Sequence, residues 1–393
     1  MVGIITLYYN NYNLGGLLQA YALQRTVQGM SFDCEQLCIW HYKPETYMAR
    51  IQKKARRFCT APLCEMERTA KALRKHWDSR PVMADLAKRW QRMEEFMLRI
   101  PHSGQEYGPD NMYECLKKYD AFITGSDQVW NGTYVKDPYL GINLLEFVPE
   151  HIPKIAYAAS GIDASLSDSR KRRLNASLAS FRSISVRERS SLCILDTDNQ
   201  KRSRAVLDPV FLVDRQHWEE LSAESQMSEE TAGRPFAFVY LLGDGKRSRD
   251  TAGRIAALWG LDITAFVHAR NVFCLWDQNF GDRRVTAYGP ADFLRMIRES
   301  SLVITDSFHA VSFSILFETP FFVLDRADEE SVNSRITDLL DDMDLMPQMV
   351  CSAQPEDAFM DAPDFARARN MIRCSKEASE RFLEEALRPL RKP

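Results

Sequence analysis

Residues 302–324, LVITDSFHAVSFSILFETPFFVL, constrain the fold of this chain more than any other segment. An apolar run ends at Thr305, helical spacing follows, and a second apolar run begins after Pro320, which predicts strand, helix and strand. Ser307 is a suitable cap for the helix, so the first-turn N–H groups and the His309 imidazole are expected at the carboxyl end of a buried strand. Because ligands bind outside such strand ends in open parallel sheets, the segment predicts an anion site at His309.

The same alternation of strands and helices runs through the rest of the chain. Predicted strands lie at 2–8, 121–130, 154–160, 183–188, 236–243 and 261–268, with helical patterns between most of them. Repeated βα units imply an α/β protein with parallel sheets covered by helices. A polar stretch around 222–233 separates two sets. We therefore expect a first domain at 1–220, a second at 234–362, and a terminal helix within 363–393 that packs back across either domain.

A basic, polar segment at 47–97 interrupts this alternation. Between residues 50 and 89 the chain has twelve Lys or Arg against four Asp or Glu, and Pro62 and Pro81 divide the segment into helical pieces. It is predicted to be an inserted helical arm. One interpretation is a solvated helical face; the other is a surface for anionic lipid headgroups or a lipid-linked diphosphate.

Length and composition narrow the function classes. At 393 residues two domains are favoured, and a net charge of −3 gives no overall attraction to nucleic acid. The start MVGIITLYYNN has no signal-peptide pattern, and no stretch reaches about 18 apolar residues. We expect a cytoplasmic protein, with the basic arm as a peripheral contact to the inner face of the membrane. Nine cysteines without paired ligand spacing fit reduced thiols better than disulfides or zinc.

Six ordered segments together resemble the polysaccharide pyruvyl transferase family. They are GIITLYYNNYNLGGLLQAYALQ at 3–24, ITGSDQVWN at 123–131, KIAYAAS at 154–160, SVRE at 185–188, LDPVFL at 207–212, and the segment 289–322 that contains TDSFH. The resemblance implies two tandem Rossmann-like domains that face each other, as in GT-B glycosyltransferases. It also implies transfer of the carboxyvinyl carbons of phosphoenolpyruvate to two sugar hydroxyls, which gives a pyruvate ketal on a cell-surface glycan or its precursor, without a metal or organic cofactor.

The chemistry of that reaction assigns roles to two residues. Phosphoenolpyruvate carries a phosphate and a carboxylate, which require a bidentate cation, and Arg187 at the end of SVRE is the candidate clamp. The alternative for Arg187 is a surface ion pair with Glu188 or Asp208. Ketal formation needs proton transfer near neutral pH, for which His309 is the candidate. The alternative for His309 is a structural histidine.

One position departs from the family pattern. Many members have an arginine directly before the Leu/Phe-His pair, and this chain has Ser307 there. With Phe308 and His309, Ser307 is expected to contact the donor, and Arg335 in NSRITDLL is the nearest substitute for the missing cation. The departure also keeps open a catalytically silent glycan-binding relative, beside a nucleotide-sugar glycosyltransferase on the same fold.

The acceptor, a sugar or a lipid-linked oligosaccharide, is expected on the first domain. The segment GSDQVWN ends a strand with polar and aromatic groups that suit sugar hydroxyls and a sugar face. The alternative is a turn in which Ser126 and Asp127 bond to backbone while Trp130 packs in the core. The predicted acceptor residues are Asn10, Asn11, Gly15, Ser126, Asp127, Gln128 and Trp130.

Two acidic motifs, at 196–198 and 341–344, have the residue types of a metal site. Asp196-Thr197-Asp198 spells the D-x-D of metal-dependent glycosyltransferases, but it follows a predicted helix in a polar turn. The run 341–344 lies along a predicted helix and reads as a solvated acidic face. Neither predicts a metal.

Overall fold

A computed structural model describes residues 1–41, 80–227, 234–270, 273–326, 330–350, 359 and 361–391. Most of the predicted arm, residues 47–79, lies outside these ranges. Among the described residues the strands form two parallel sheets, one before residue 206 and one after residue 235. None of the helices described combines the length and apolar character that crossing a bilayer requires.

The first sheet has the strand order β3-β2-β1-β4-β5-β6-β7, with every neighbouring pair parallel. Its strands are β1 (Val2–Ile5), β2 (Cys34–Ile39), β3 (His102–Tyr107), β4 (Ala121–Thr124), β5 (Lys154–Ala159), β6 (Ser183–Val186) and β7 (Ser203–Ala205). The helices in this half are α1 (Leu14–Gly29), α2 (Met83–Met97), α3 (Tyr139–Asn143), α4 (Asp168–Leu178), α5 (Thr197–Arg202) and α6 (Arg215–Ala223). The central strands β1, β4 and β5 are buried along their whole length, as expected for a sheet covered on both faces.

The second sheet has the order β10-β9-β8-β11-β12-β13, again parallel throughout. Its strands are β8 (Phe236–Tyr240), β9 (Asp262–Phe266), β10 (Arg283–Val285), β11 (Leu302–Thr305), β12 (Phe321–Leu324) and β13 (Met349–Val350). Its helices are α7 (Lys246–Leu258), α8 (Pro290–Glu299), α9 (Phe308–Phe317) and α10 (Glu330–Asp342), followed by the terminal α11 (Phe365–Leu387). The predicted strand, helix and strand of 302–324 are therefore confirmed as β11, α9 and β12.

Side-chain caps set the starts of the two helices nearest the cleft. Asn13 Oδ1 accepts from the N–H groups of Gly15 and Gly16, so α1 begins at Leu14. Ser307 Oγ accepts from the N–H of Ala310 at 3.4 Å, as predicted for α9. Each helix start follows a central strand of its own sheet, which brings the two starts to the same cleft.

Helix α2 joins the two halves. The guanidinium of Arg89 is fully buried and donates to the carbonyl oxygens of Val267, His268 and Thr286 at 2.6–2.7 Å. It also lies 3.9 Å from the centroid of the Tyr288 ring. Arg89 was counted among the basic residues of the predicted arm, but here it anchors the end of that segment to the second domain and is not placed to meet a lipid headgroup.

The terminal helix returns to the first domain. Phe382, Leu383 and Leu387 of α11 share one buried cluster with Val2 and Ile4 of β1. A larger cluster combines residues of α1 with residues of α8 and α9, so the two domains share an apolar contact beside the cleft. This contact fixes the start of α9 close to the start of α1.

Candidate active site

A cleft of about 310 Å³ lies between the carboxyl ends of the two sheets. Its first-domain lining is Leu7, Asn11, Tyr12, Asn13, Asp127, Gln128 and Tyr134. Its second-domain lining is Tyr240, Leu242, Ala269, Arg270, Ser307, Phe308, His309, Arg326 and Arg335. The position agrees with the rule for ligands in open parallel sheets. The cleft brings together Asn11, Asp127, Gln128, Ser307, Phe308, His309 and Arg335 of the predicted site.

His309 lies in the first turn of α9, directly over the backbone of Gly15. A Cβ atom added at Gly15 would lie 2.0 Å from His309 Nδ1, so no other residue fits beneath the ring without moving it. Nε2 is buried without a hydrogen-bond partner, 3.8 Å from Asp208 Oδ2. Burial lowers the pKa of His309 below its usual value, although Asp208 and Asp127 act in the opposite direction. The imidazole is therefore neutral near pH 7 and able to accept a proton.

Arg187 lies behind the wall of the cleft, in a buried ion-pair network. Its Nε donates to Glu188 at 2.9 Å, and its Nη1 donates to Asp208 Oδ2 at 2.8 Å. The guanidinium stacks on Phe308, 4.1 Å from the ring centroid, and Phe308 but not Arg187 is part of the cleft lining. Burial favours a lower pKa, but Glu188, Asp208 and Asp127 together raise the pKa of Arg187 above its usual range. These ion pairs are those of the alternative interpretation, except that they are buried, and a direct contact between Arg187 and the donor stays a prediction.

Asp127 carries a carboxylate at the floor of the cleft. Its φ of 65° lies in the left-handed region, which is uncommon outside glycine. Burial opposes ionisation, yet Arg187, His309 and Arg335 hold the pKa of Asp127 below its usual value. Asp127 Oδ1 is 3.6 Å from Arg187 Nη2 and 3.9 Å from Arg335 Nη1. The carboxylate is therefore ionised and positioned between the two guanidinium groups.

Arg335, on α10, is the predicted residue that reaches the cleft as a cation. With the Gln128 amide oriented so that its oxygen faces the guanidinium, the oxygen accepts from Arg335 Nη1 at 3.1 Å. Nε is buried without a hydrogen-bond partner. Burial and the nearby charge of Arg187 lower the pKa of Arg335 to about 10, despite the attraction of Asp127. Arg335 remains charged near pH 7, but its charge is compensated less than that of Arg187.

The cleft also contains residues that the sequence analysis did not select. Arg326, two residues after the end of β12, lines it and donates from Nη2 to the backbone oxygen of Asp306 at 2.8 Å. Asp306 in turn accepts from the N–H groups of Leu242 and Gly243, which ties the ends of β8, β11 and β12 together. The position of Arg326 right after an apolar strand was the signal available in the sequence. Arg270, Tyr12, Asn13 and Tyr134 also line the cleft.

Several predicted site residues lie elsewhere. Trp130 is 2% exposed within the first-domain core, so it packs as in the alternative and does not offer a face to a sugar. Ser126 is fully buried and donates from Oγ to Asp208 Oδ2 at 3.1 Å. This hydrogen bond positions the Asp208 carboxylate, and Ser126 does not line the cleft. Asn10 is outside the lining, and Gly15 contributes its backbone beneath His309. The acceptor roles of Trp130 and Ser126 stay predictions, and both residues lie outside the cleft lining.

The two acidic motifs have structural partners. Asp196 caps α5 by accepting from the N–H of Asn199 at 2.9 Å. Asp341 and Asp342 on α10 form ion pairs with Arg189 of the first domain, so this acidic face bridges the domains. Within the described ranges, no group of three or more His, Cys, Asp or Glu side chains is arranged to hold a metal ion.

Comparison with solved structures defines the class of fold. The chain is similar to UDP-GlcNAc 2-epimerase from Neisseria meningitidis bound to UDP-GlcNAc, with a TM-score of 0.53, 8% identity and 98% of each chain covered. It is similar to the S. aureus MnaA-UDP co-structure, with a TM-score of 0.51, 11% identity, and 100% of this chain and 99% of that chain covered. For UDP-N-acetylglucosamine 2-epimerase from Rickettsia bellii the TM-score is 0.50 at 9% identity, with 98% of this chain and 95% of that chain covered. These likenesses show a GT-B-like α/β fold, as predicted.

The family follows from the sequence itself. The model of the polysaccharide pyruvyl transferase family matches residues 13–328, and the chain belongs to that family. No curated protein matches the sequence at a significant level. The matched range contains Asp127, Arg187 and His309, whereas Arg335 lies beyond it.

Proposed function

We propose that this protein transfers the carboxyvinyl group of phosphoenolpyruvate to a sugar of a cell-surface polysaccharide or its precursor and forms a pyruvate ketal. The observation that carries the proposal is the polarity of the cleft. Its second-domain wall presents Arg270, Arg326 and Arg335, whereas its first-domain wall presents Asp127 with amide and tyrosine side chains. A cationic wall suits an anionic donor, and a wall of hydrogen-bonding and aromatic groups suits a sugar.

The donor is assigned to the second-domain wall. Phosphoenolpyruvate presents a phosphate and a carboxylate, and Ser307, Phe308 and His309 at the start of α9 line the cleft together with Arg335. Helix N-termini and arginine side chains are the two kinds of donor that bind such anions best. Arg335 supplies the charge that the family arginine would supply at position 307. Phe308 forms part of the same wall.

The acceptor is assigned to the first-domain wall. The Asp127 carboxylate accepts hydrogen bonds, so it is suited to orient two sugar hydroxyls toward the donor carbon. Asn11 and Gln128 line the same wall and offer amide groups. Substitution of Asp127 by Asn is therefore expected to weaken use of the acceptor more than binding of phosphoenolpyruvate.

Ketal formation requires that two sugar hydroxyl oxygens bond to C2 of phosphoenolpyruvate and that its phosphate leaves. Neutral His309 accepts the proton of the first hydroxyl as its oxygen bonds to C2 of phosphoenolpyruvate, and His309 then gives this proton to C3, which becomes a methyl group. The C2–O bond to phosphate breaks, the second hydroxyl oxygen bonds to C2, and its proton leaves with inorganic phosphate. General acid–base assistance of this kind accelerates reactions by roughly a hundred- to ten-thousandfold. No metal or organic cofactor takes part in this scheme.

The basic arm is proposed to hold the enzyme at an anionic membrane surface, where a lipid-linked acceptor would be found. Its charge is local, since the chain as a whole carries a net charge of −3. Neutralising Lys53, Lys54, Arg56 and Arg57 is expected to weaken binding to anionic liposomes and to leave turnover of a soluble acceptor unchanged. Equal liposome binding before and after would remove this part of the proposal.

Donor binding is the most direct test of the function. Phosphoenolpyruvate should raise the melting temperature of the protein, because a ligand that binds only the folded state stabilises it. The UDP- and GDP-sugars should not. Stabilisation by a nucleotide sugar alone would favour the glycosyltransferase alternative, and stabilisation by glycans without either donor would favour a silent binding protein.

A further inference from the structure

Three aromatic side chains lie at the cleft or beside it; Tyr134 and Trp90 are exposed, and Tyr12 is half-buried. Tyr12 and Tyr134 line the first-domain wall, and Tyr134 is 40% exposed. Trp90 on α2 is 37% exposed, lies outside the cleft lining, and stacks on Tyr12 with the ring centroids 6.0 Å apart and an angle of 29° between the planes. A single exposed aromatic residue needs no explanation, but a stacked pair that continues from a cleft lining to an exposed helix residue indicates a binding surface.

The backbone on both sides of the Tyr12 and Trp90 pair is held in place. Arg89, adjacent to Trp90, is fully buried and bonded to three carbonyl groups of the second domain. Asn13, adjacent to Tyr12, caps α1. The pair is therefore arranged before any ligand arrives, which lowers the entropy cost of binding to it.

We infer that Tyr12, Trp90 and Tyr134 form a subsite for further sugar rings of the acceptor, so that the substrate is an oligosaccharide and not a free monosaccharide. This inference rests on the proposed function for the role of the bound glycan. An aromatic face binds the C–H face of a sugar and tolerates its hydroxyls at the edge, as amphipathic surfaces do. The cations of the cleft lie on the opposite wall. A neutral glycan that extends from the cleft over Tyr12 and Trp90 therefore does not compete with the anionic donor.

The test measures glycan binding without any donor, so that it is independent of phosphoenolpyruvate. Methyl glycosides of glucose, galactose, mannose and N-acetylglucosamine, with their disaccharides and tetrasaccharides, would be titrated by calorimetry into wild type, Trp90→Ala and Trp90→Phe. Trp276→Ala is the matched control, because Trp276 is also exposed (44%) and lies outside the cleft lining. Melting temperatures of all variants would confirm that they are folded.

The wild type is expected to bind at least one tetrasaccharide more tightly than its methyl glycoside, by on the order of three- to tenfold for each stacked ring. Trp90→Ala should lose this gain with length and keep the affinity for the methyl glycoside, Trp90→Phe should keep part of the gain, and Trp276→Ala should match wild type. An unchanged gain in folded Trp90→Ala, or no gain in any sugar series for wild type, would overturn the inference. Failure of phosphoenolpyruvate to bind would instead count against the proposed function, because the glycan titrations contain none.

Discussion

Arg187 and Arg335 are both buried next to Asp127, but they differ in what compensates their charge. Arg187 is surrounded by Glu188, Asp208 and Asp127, and its pKa is raised. Arg335 has only Asp127 near it as an anion within 4 Å among the described residues, and burial lowers its pKa to about 10. A buried cation without sufficient counter-charge is costly, and an anionic ligand relieves that cost. We therefore propose that Arg187 holds the site together and that Arg335 binds the donor.

The difference follows from where each arginine lies in the fold. Arg187 follows β6 of the first domain, where Glu188 and Asp208 come from the same domain and complete the network before any ligand binds. Arg335 comes from the second domain and meets Asp127 and Gln128 across the cleft. One arginine is therefore satisfied within its own domain, and the other depends on the opposite wall or on a ligand.

The largest effect is expected for His309→Ala, which tests whether His309, and neither arginine, transfers the proton. His309→Ala should lower the single-turnover rate by roughly a hundred- to ten-thousandfold, because a proton-transfer group acts in the transition state. Binding of phosphoenolpyruvate, measured by calorimetry, should stay within a few-fold of wild type. Near-normal turnover in a folded His309→Ala protein would contradict the mechanism.

Arg187→Ala tests whether Arg187 stabilises the folded protein. Removing one partner leaves the Glu188 and Asp208 carboxylates buried without their counter-charge, which typically costs about 3–5 kcal/mol of unfolding free energy. Denaturant unfolding followed by fluorescence would measure the loss. A variant as stable as wild type, with phosphoenolpyruvate binding specifically weakened, would restore Arg187 as the donor clamp.

Arg335→Ala tests whether Arg335 binds the donor. Loss of a charged hydrogen bond to the donor costs on the order of 1.5–3 kcal/mol, or about ten- to a hundredfold in affinity for phosphoenolpyruvate. Stability should change little, because the guanidinium has few partners in the free protein. Arg254→Ala, an exposed arginine on α7, is the control in the same calorimetric titration. Equal donor affinity in Arg335→Ala and wild type would show that another cation of the cleft, such as Arg326, carries the donor.

The sequence predicted the fold and part of the site. The alternation of strands and helices, the capping by Ser307 and the place of His309 follow from local patterns that the chain satisfies one segment at a time. The ion pairs of Arg187 could not be read from the sequence, because its burial and the approach of Asp127 depend on how β4, β6 and the loop at Asp208 pack together. The same holds for Trp130, because the sequence does not show whether a tryptophan at a strand end turns to the core or to the cleft. Arg326 follows an apolar strand but matches no motif, so its place in the cleft depends on how β8, β11 and β12 meet.

Gly15→Ala tests the position of the His309 ring, because it moves the ring without changing any charge. The added Cβ would lie 2.0 Å from Nδ1, so the ring must shift. We expect turnover to fall by on the order of tenfold, below the hundredfold that a 1 Å misplacement is able to cost. Gly29→Ala, at the other end of α1 with open space around it, is the control. Unchanged turnover in Gly15→Ala would show that the position of the ring over Gly15 does not matter for the reaction.

The smallest effect concerns the protonation of His309, which both arginines and both aspartates influence. Burial lowers the pKa of His309 and outweighs the attraction of Asp208 and Asp127. Below the ordinary histidine pKa of about 6.5 the unfolded chain binds a proton that the folded protein does not. The stability contributed by the neutral ring is therefore complete above that pH and lost as the pH falls toward the folded pKa.

An NMR titration of the histidine ring protons, with His309→Ala to assign the resonance, would measure this pKa among the seven histidines of the chain. A midpoint below about 6.5 is expected. The same titration in Arg335→Ala should move the midpoint upward, because a nearby positive charge disfavours the imidazolium and its removal favours it. A midpoint at or above the ordinary value in wild type would mean that Asp208 and Asp127 dominate over burial, and His309 would then enter the reaction as an acid already carrying its proton.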